Sequence, residues 1–261
     1  MNASADIPVF YDRLAPDYDD MTGFGNRFVQ EKPFFRLLVE NHHIATALDA
    51  GCGTGFHSLL LAQLGVRVTA VDISGEMLER LERHGREMKL DITRARSDFS
   101  GVRKVAPGPF DAVFCMGNTI PHLLSEADIR KALADFAAIL RPGGMLTLQM
   151  LNYDRILATR ERIQGARESN GVTYVRFYDF DDNRGLVLFN ILRLETKDDK
   201  LTAGLITVPL LPVTGARIMS MLEECGYQGI KTFGSIAKDP FDTAVSKDLV
   251  ILATTSQASP A

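Results

Sequence analysis

The chain has 261 residues, 46% hydrophobic and 24% charged, which suits one large globular domain or one domain carrying a smaller insertion. The net charge of −4 and the lack of a Lys/Arg run argue against nucleic acid as a partner. No run of 18 apolar residues offers a membrane span, residues 1–6 do not read as a secretory signal, and three scattered cysteines fit neither a disulfide framework nor a zinc site. The expectation is a cytoplasmic protein with free thiols.

In chain order, residues 33–41 place Phe34, Leu37 and Leu38 at helical spacing. Residues 45–50 form a short apolar run stopped by glycines, a buried strand. A helix over 58–64 follows, then a β-branched strand over 66–71 that ends against Asp72. Residues 75–88 return to helical spacing through Met77, Leu78 and Leu81. Strands are predicted over 92–96, 110–115 and 145–150. A helix over 126–140 stops at the turn Arg141-Pro-Gly-Gly144. Strands alternating with helices predict parallel βαβ units in a doubly wound α/β sheet.

After Leu151 the rhythm changes. Residues 172–180, 185–195 and 201–209 are strand-like. Turn-rich pieces at 181–185 and 197–200 separate them, with no helix between, which predicts an antiparallel meander. A helix over 214–225, strands over 228–234 and 248–254, and a loose tail over 256–261 complete the chain. The expected organisation is a core of residues 1–150 and 211–256, interrupted by a β insertion over 151–210. That insertion would stand above the carboxyl edge of the sheet, where ligands bind in open α/β folds.

The strongest local signal is Leu48-Asp-Ala-Gly-Cys-Gly-Thr-Gly55, at the end of the first strand and the start of a helix. Glycines at 51, 53 and 55 allow a tight turn and close approach of backbone to a ligand. A dinucleotide fingerprint needs glycine where Phe56 stands, and Asp49 would repel a pyrophosphate. A carboxylate there attracts a cationic ligand, such as S-adenosylmethionine with its ammonium and sulfonium. Asp72, followed by Ile73, ends the second strand, where one carboxylate can accept from both hydroxyls of a ribose; it can also cap the next helix. Asp98 and Phe99 follow the third strand, suited to an adenine amine and ring, though an acid there also fits a surface turn. Cys115-Met-Gly-Asn-Thr-Ile-Pro-His-Leu123 follows the fourth, with Asn118 and His122 as candidates to steer a substrate; a lone histidine also serves as a hydrogen-bonded structural residue.

Together these residues resemble the class I S-adenosylmethionine-dependent methyltransferases from about residue 9 to 150. The resemblance implies a seven-stranded Rossmann-like sheet whose last strand is antiparallel. It also implies S-adenosylmethionine as cofactor, with Asp49, Gly51, Gly53, Gly55 and Cys115 around its methionine part, Asp72 and Ile73 at the ribose, and Asp98 and Phe99 at the adenine. A closer resemblance is to the glycine and sarcosine N-methyltransferases. It rests on Cys115-x-Gly117-Asn118-x-x-x-His122-Leu123, Arg141-Pro-Gly-Gly144 and Asn152-Tyr-Asp154. By that resemblance Arg27 meets the cofactor carboxylate, and Asn118, His122 and Tyr153 shape the acceptor site. The segment Tyr11-Asp-Arg-Leu-Ala-Pro-Asp-Tyr18 resembles the lid of small-molecule methyltransferases. The family's arginine before Asn-Tyr-Asp, which grips the substrate carboxylate, is Leu151 here; Arg155 and Arg176 are candidates to replace it. The implied activity is methylation of a small-molecule amine. O-methylation of a small acid or hydroxyl compound, and a non-catalytic cofactor-binding module, are the alternatives. The meander could cap the site, mediate a homo-oligomer, or both.

Overall fold

The computed structural model describes residues 6–197 and 200–256. The expected tail after Ser256 and the centre of the turn at 197–200 lie outside them.

Two helices open the fold, α1 (Asp6–Thr22) and α2 (Phe24–His42). Only the second half of α2 was legible in the sequence. The apolar stripe of α1, Ile7, Phe10, Leu14 and Met21, keeps helical spacing, but Pro16 and five aspartates within the helix mask it. These four side chains are buried and contribute about 2 kcal/mol each.

The main sheet follows the expected α/β alternation. It comprises β1 (Thr46–Ala50), β2 (Arg67–Asp72), β3 (Thr93–Arg96), β4 (Phe110–Cys115), β5 (Leu140–Leu151), β10 (Tyr227–Phe233) and β11 (Asp248–Thr255). Their order is β10-β11-β5-β4-β1-β2-β3. The strands from β5 to β3 run parallel, and β11 pairs antiparallel with both β5 and β10. Helices α3 (Phe56–Gln63), α4 (Gly75–Met88), the single turn α5 (Val102–Val105), α6 (Glu126–Ile139) and α8 (Gly215–Glu224) connect and cover it. Chain order reverses between β1 and β4, so the crevice where ligands bind opens at their carboxyl ends.

Two boundaries differ from expectation. Helix α6 stops at Ile139, and Arg141-Pro-Gly-Gly144 becomes an irregularity within β5, which pairs with β4 at Leu140 and resumes at Met145.

The insertion holds α7 (Tyr153–Thr159) and a second sheet of four strands, where three were expected. These are β6 (Ile163–Ser169), β7 (Val172–Asp181), β8 (Leu186–Lys197) and β9 (Lys200–Leu210), all antiparallel in sequence order. Strand β6 escaped notice because it is an edge strand whose residues are half-buried or exposed, with no apolar alternation. Helix α7 begins where the Asn152 side chain accepts from the Arg155 N–H.

The inner face of this sheet meets α1: Val172, Tyr174, Ile191 and Val208 pack with Ile7, Phe10, Leu14 and Met21. Polar ties fix the contact. Asp17 accepts from the Tyr174 hydroxyl at 2.9 Å and from Arg193 at 3.0 Å. On its other side, Asp19 accepts from the Thr54 hydroxyl at 2.6 Å and Asp12 from Ser74 at 2.5 Å. One helix therefore joins the second sheet to the glycine loop. No described helix is long and apolar enough to cross a membrane.

Candidate functional site

Two connected cavities open at the carboxyl edge of the main sheet. They share Tyr11, Tyr18, Arg27, Gly117 and His122 in their walls. The first, about 140 Å³, lies between the main sheet and α1. The second, about 570 Å³, lies between β5, α7 and the inserted sheet.

The first cavity is built by strand ends. The Gly51 and Cys52 N–H groups donate to the Val71 carbonyl, and the Gly53 N–H donates to Asp72 Oδ2 at 2.8 Å. Asp72 Oδ1 accepts from the Ser74 N–H at 2.9 Å. Ser74, not Asp72, caps α4 by accepting from Met77. The Asp72 carboxylate is thus fixed at a cavity wall without serving as the cap. Burial raises it to about 6 against the hydrogen bonds of Ser74 and Gly53. Hydroxyls of a ribose would supply further donors to that carboxylate. Ile73, Asp98 and Phe99 line the same cavity. Asp98 Oδ1 is already engaged by the Ser100 hydroxyl and the Gly101 N–H, capping a one-turn helix over Phe99–Gly101.

The three expected glycines divide. Gly51 and Gly53 line the cavity; Gly55 does not. Gly51 has φ +74°, and a Cβ there would overlap the Thr119 side chain across the crevice. At Gly55, φ +89°, a Cβ would overlap Leu81, so this glycine lets α3 approach α4.

Asp49 and Cys115 stand behind the lining. Asp49 is 1% exposed and accepts from the Ser58 hydroxyl at 2.6 Å. Burial raises its carboxyl against the His57 charge and the Ser58 hydrogen bonds. The Cys115 thiol is fully buried at the end of β4, and burial pushes it far up. Neither side chain lines either cavity.

Arg27 faces both cavities. Its guanidinium lies 4.0 Å from the Phe56 ring centroid and donates to Glu31 at 2.6 Å. Burial alone would raise the Glu31 carboxyl, but His57 and Arg27 outweigh it and hold it below the usual range. The charge that reaches the cavity junction is therefore a positioned one.

At the junction, Tyr11 and His122 are 2.7 Å apart through the hydroxyl and Nε2. His122 Nδ1 is buried with no partner among the described residues. Burial lowers the imidazole to about 4 and raises both the Tyr11 and Tyr18 phenols. Beside the Arg27 guanidinium, the junction thus presents a neutral imidazole and two neutral phenols.

Asn118, at φ +66°, lines the second cavity. Its Oδ1 accepts from the Leu151 N–H, and its Nδ2 donates to the Tyr153 hydroxyl, both at 3.0 Å. Tyr153 is 1% exposed and lies outside both walls, behind Asn118. Its hydroxyl accepts from the asparagine amide.

The sequence reading missed Met116 and Thr119 in the first wall, and Gln149, Lys247 and Asp248 in the second. Thr119 sat inside the loop already singled out. Lys247 precedes β11 and Asp248 opens it, and both meet the site only through sheet order, which no local spacing announces.

Known proteins agree with this geometry. A family model described as "Methyltransferase domain" matches residues 47–144. The chain is 32% identical over 226 residues to the glycine/sarcosine N-methyltransferase of Parasynechococcus marenigrum, covering 85% of this chain and 77% of that one. It is 32% identical to the enzyme of the same name from Halorhodospira halochloris, over 86% of this chain and 81% of that one. Its fold matches a crystal structure of an S-adenosylmethionine-dependent methyltransferase from Clostridium acetobutylicum, with a TM-score of 0.80 and 18% identity over 94% of this chain and 99% of that one. The resemblance in the sequence, the seven-stranded sheet with its antiparallel β11, and these likenesses agree: the chain belongs to the S-adenosylmethionine-dependent methyltransferases, among the relatives of the glycine/sarcosine N-methyltransferases.

Proposed function

We propose that the protein methylates the nitrogen of a small amine held in the second cavity. Asp72 binds the cofactor's ribose, Asp98 and Phe99 its adenine, and Arg27 its carboxylate. When bound, S-adenosylmethionine supplies a methyl group on a sulfonium, a leaving group that is already activated. What remains for the chain is to aim the acceptor's lone pair, exclude water and leave the nucleophile unprotonated.

The observation that carries the choice of nitrogen is the junction itself. His122, held near 4, and the buried phenols of Tyr11 and Tyr18 are poor acceptors for a hydroxyl proton at neutral pH. An acceptor there has to bring its own lone pair, as a neutral amine does. His122 and the Asn118 loop orient it, and the inserted sheet covers it. The names of the relatives point to the same chemistry.

The test is a panel of primary and secondary amines, alcohols and carboxylic acids incubated with S-adenosylmethionine. S-adenosylhomocysteine release and product mass are followed. Methylated amines are the expected products. Turnover confined to alcohols or acids would refute the reading.

A further inference from the structure

Arg176 stands out among the charged side chains of the second cavity. It lies on β7, where residues alternate between faces. Its face is the inner one: Val172, Tyr174 and Tyr178 share it and are buried. The guanidinium lines the cavity and extends its charge to Tyr18 on α1 and to Tyr178.

The other cations of this wall are accounted for. Arg27 is bound to Glu31 at 2.6 Å and Arg155 to Glu161 at 2.8 Å, while Lys247 is exposed to solvent beside Asp248. For Arg176, by contrast, no carboxylate lies within 4.0 Å and no side chain accepts from it among the described residues. A half-buried guanidinium directed into a cavity loses hydration without compensation. A ligand that brings an anion would restore it.

We infer that Arg176 is a specificity-determining residue that grips a carboxylate on the amine acceptor, from the inserted sheet rather than from the end of β5, where Leu151 lines the cavity. The inference deepens the proposed function and rests on it for the amine. A guanidinium fork matches a carboxylate with two parallel hydrogen bonds. Glu161 and Asp248 in the same wall favour a monoanion over a dianion such as a phosphate ester. The cavity, about 570 Å³, falls in the range of pockets for drug-sized ligands and leaves room for an acceptor larger than glycine. The guanidinium also opposes the charged form of a nearby amine, which favours the free base that attacks.

The probes are butanoate, 4-aminobutanoate and butylamine, titrated calorimetrically into the protein saturated with S-adenosylhomocysteine. Wild type, R176Q and R176K are compared. The expected result is binding of both carboxylates to wild type and a loss of at least tenfold in R176Q. R176K should recover part of it, and butylamine affinity should not fall in either variant. S-adenosylhomocysteine affinity and Tm should not fall in R176Q, because the substitution removes an unpaired cation. Equal carboxylate affinity in R176Q and wild type, or no carboxylate binding to wild type, would overturn the inference. Methyl transfer is then measured on 4-aminobutanoate and butylamine. Carboxylate binding that depends on Arg176, without methylation of any amine, would sink the proposed function and sustain the anion site.

Discussion

The two cavities are built by opposite strategies. Around the first, the ends of β1 and β2 are tied by backbone N–H groups: Gly51 and Cys52 to Val71, Gly53 to Asp72. Its key carboxylate sits in a hydrogen-bonded frame that the main chain provides. Around the second, side chains converge from distant stretches, among them Asn118 after β4, Arg155 on α7, Arg176 on β7 and Asp248 opening β11. A main-chain frame is constrained by turn geometry and tolerates few residue types. A convergent side-chain wall can be rewritten one position at a time. The contrast explains why the cofactor half carries a readable motif and the acceptor half does not.

The largest break in this contrast should come from Asp72→Ala. Two hydrogen bonds to a charged acceptor contribute about 1.5–3 kcal/mol each, so affinity for S-adenosylhomocysteine should fall at least a hundredfold in calorimetry. A decrease under threefold would mean the ribose is not held there. Next is Gly51→Val, which forces a β-branched side chain into φ +74° and into Thr119. The expected loss is about 3 kcal/mol in urea unfolding, with the transition midpoint lowered accordingly. An unchanged midpoint would show that the loop relaxes freely, against the idea of a rigid frame.

A third test uses pH. The Asp72 carboxyl is raised to about 6 in the folded protein, so it is ionised above that pH and protonated below it. Hydroxyl donors prefer the ionised form. Cofactor affinity should therefore be flat from pH 7 to 8 and fall by about tenfold at pH 5, and Asp72→Asn should remove that dependence. The smallest effect expected is that of Tyr11→Phe, which leaves His122 Nε2 without its partner. A loss of about 1 kcal/mol corresponds to a fivefold lower kcat on a confirmed acceptor, with S-adenosylhomocysteine affinity unchanged. Weakened cofactor binding instead would place this pair in the first cavity's machinery.

Much of the fold was legible because buried parallel strands announce themselves. Residues 110–115 and 145–150 are apolar runs bounded by turns, and they became β4 and the body of β5. Helix α1 was not, since its buried stripe is diluted by aspartates whose partners lie on other elements. Strand β6 was not, since an edge strand with open faces needs no apolar alternation. In the site, the acids at strand ends could be located by position, but not their exposure. Asp49 and Asp72 read alike in sequence. In the structure Asp49 turns to Ser58 inside, while Asp72 turns to the cavity. Tyr153 likewise read as a site residue, and in the structure it lies behind Asn118, outside both cavity walls.

Helix α1 touches the glycine loop through Asp19 and Thr54, and the inserted sheet through Asp17, Tyr174 and Arg193. It works as an adaptor between a main-chain socket and an exchangeable tool. Strands β6 to β9 can be recast for a new acceptor while the inward stripe of the helix stays as it is. A chimera that swaps those strands without preserving that stripe would lose not one binding partner but both.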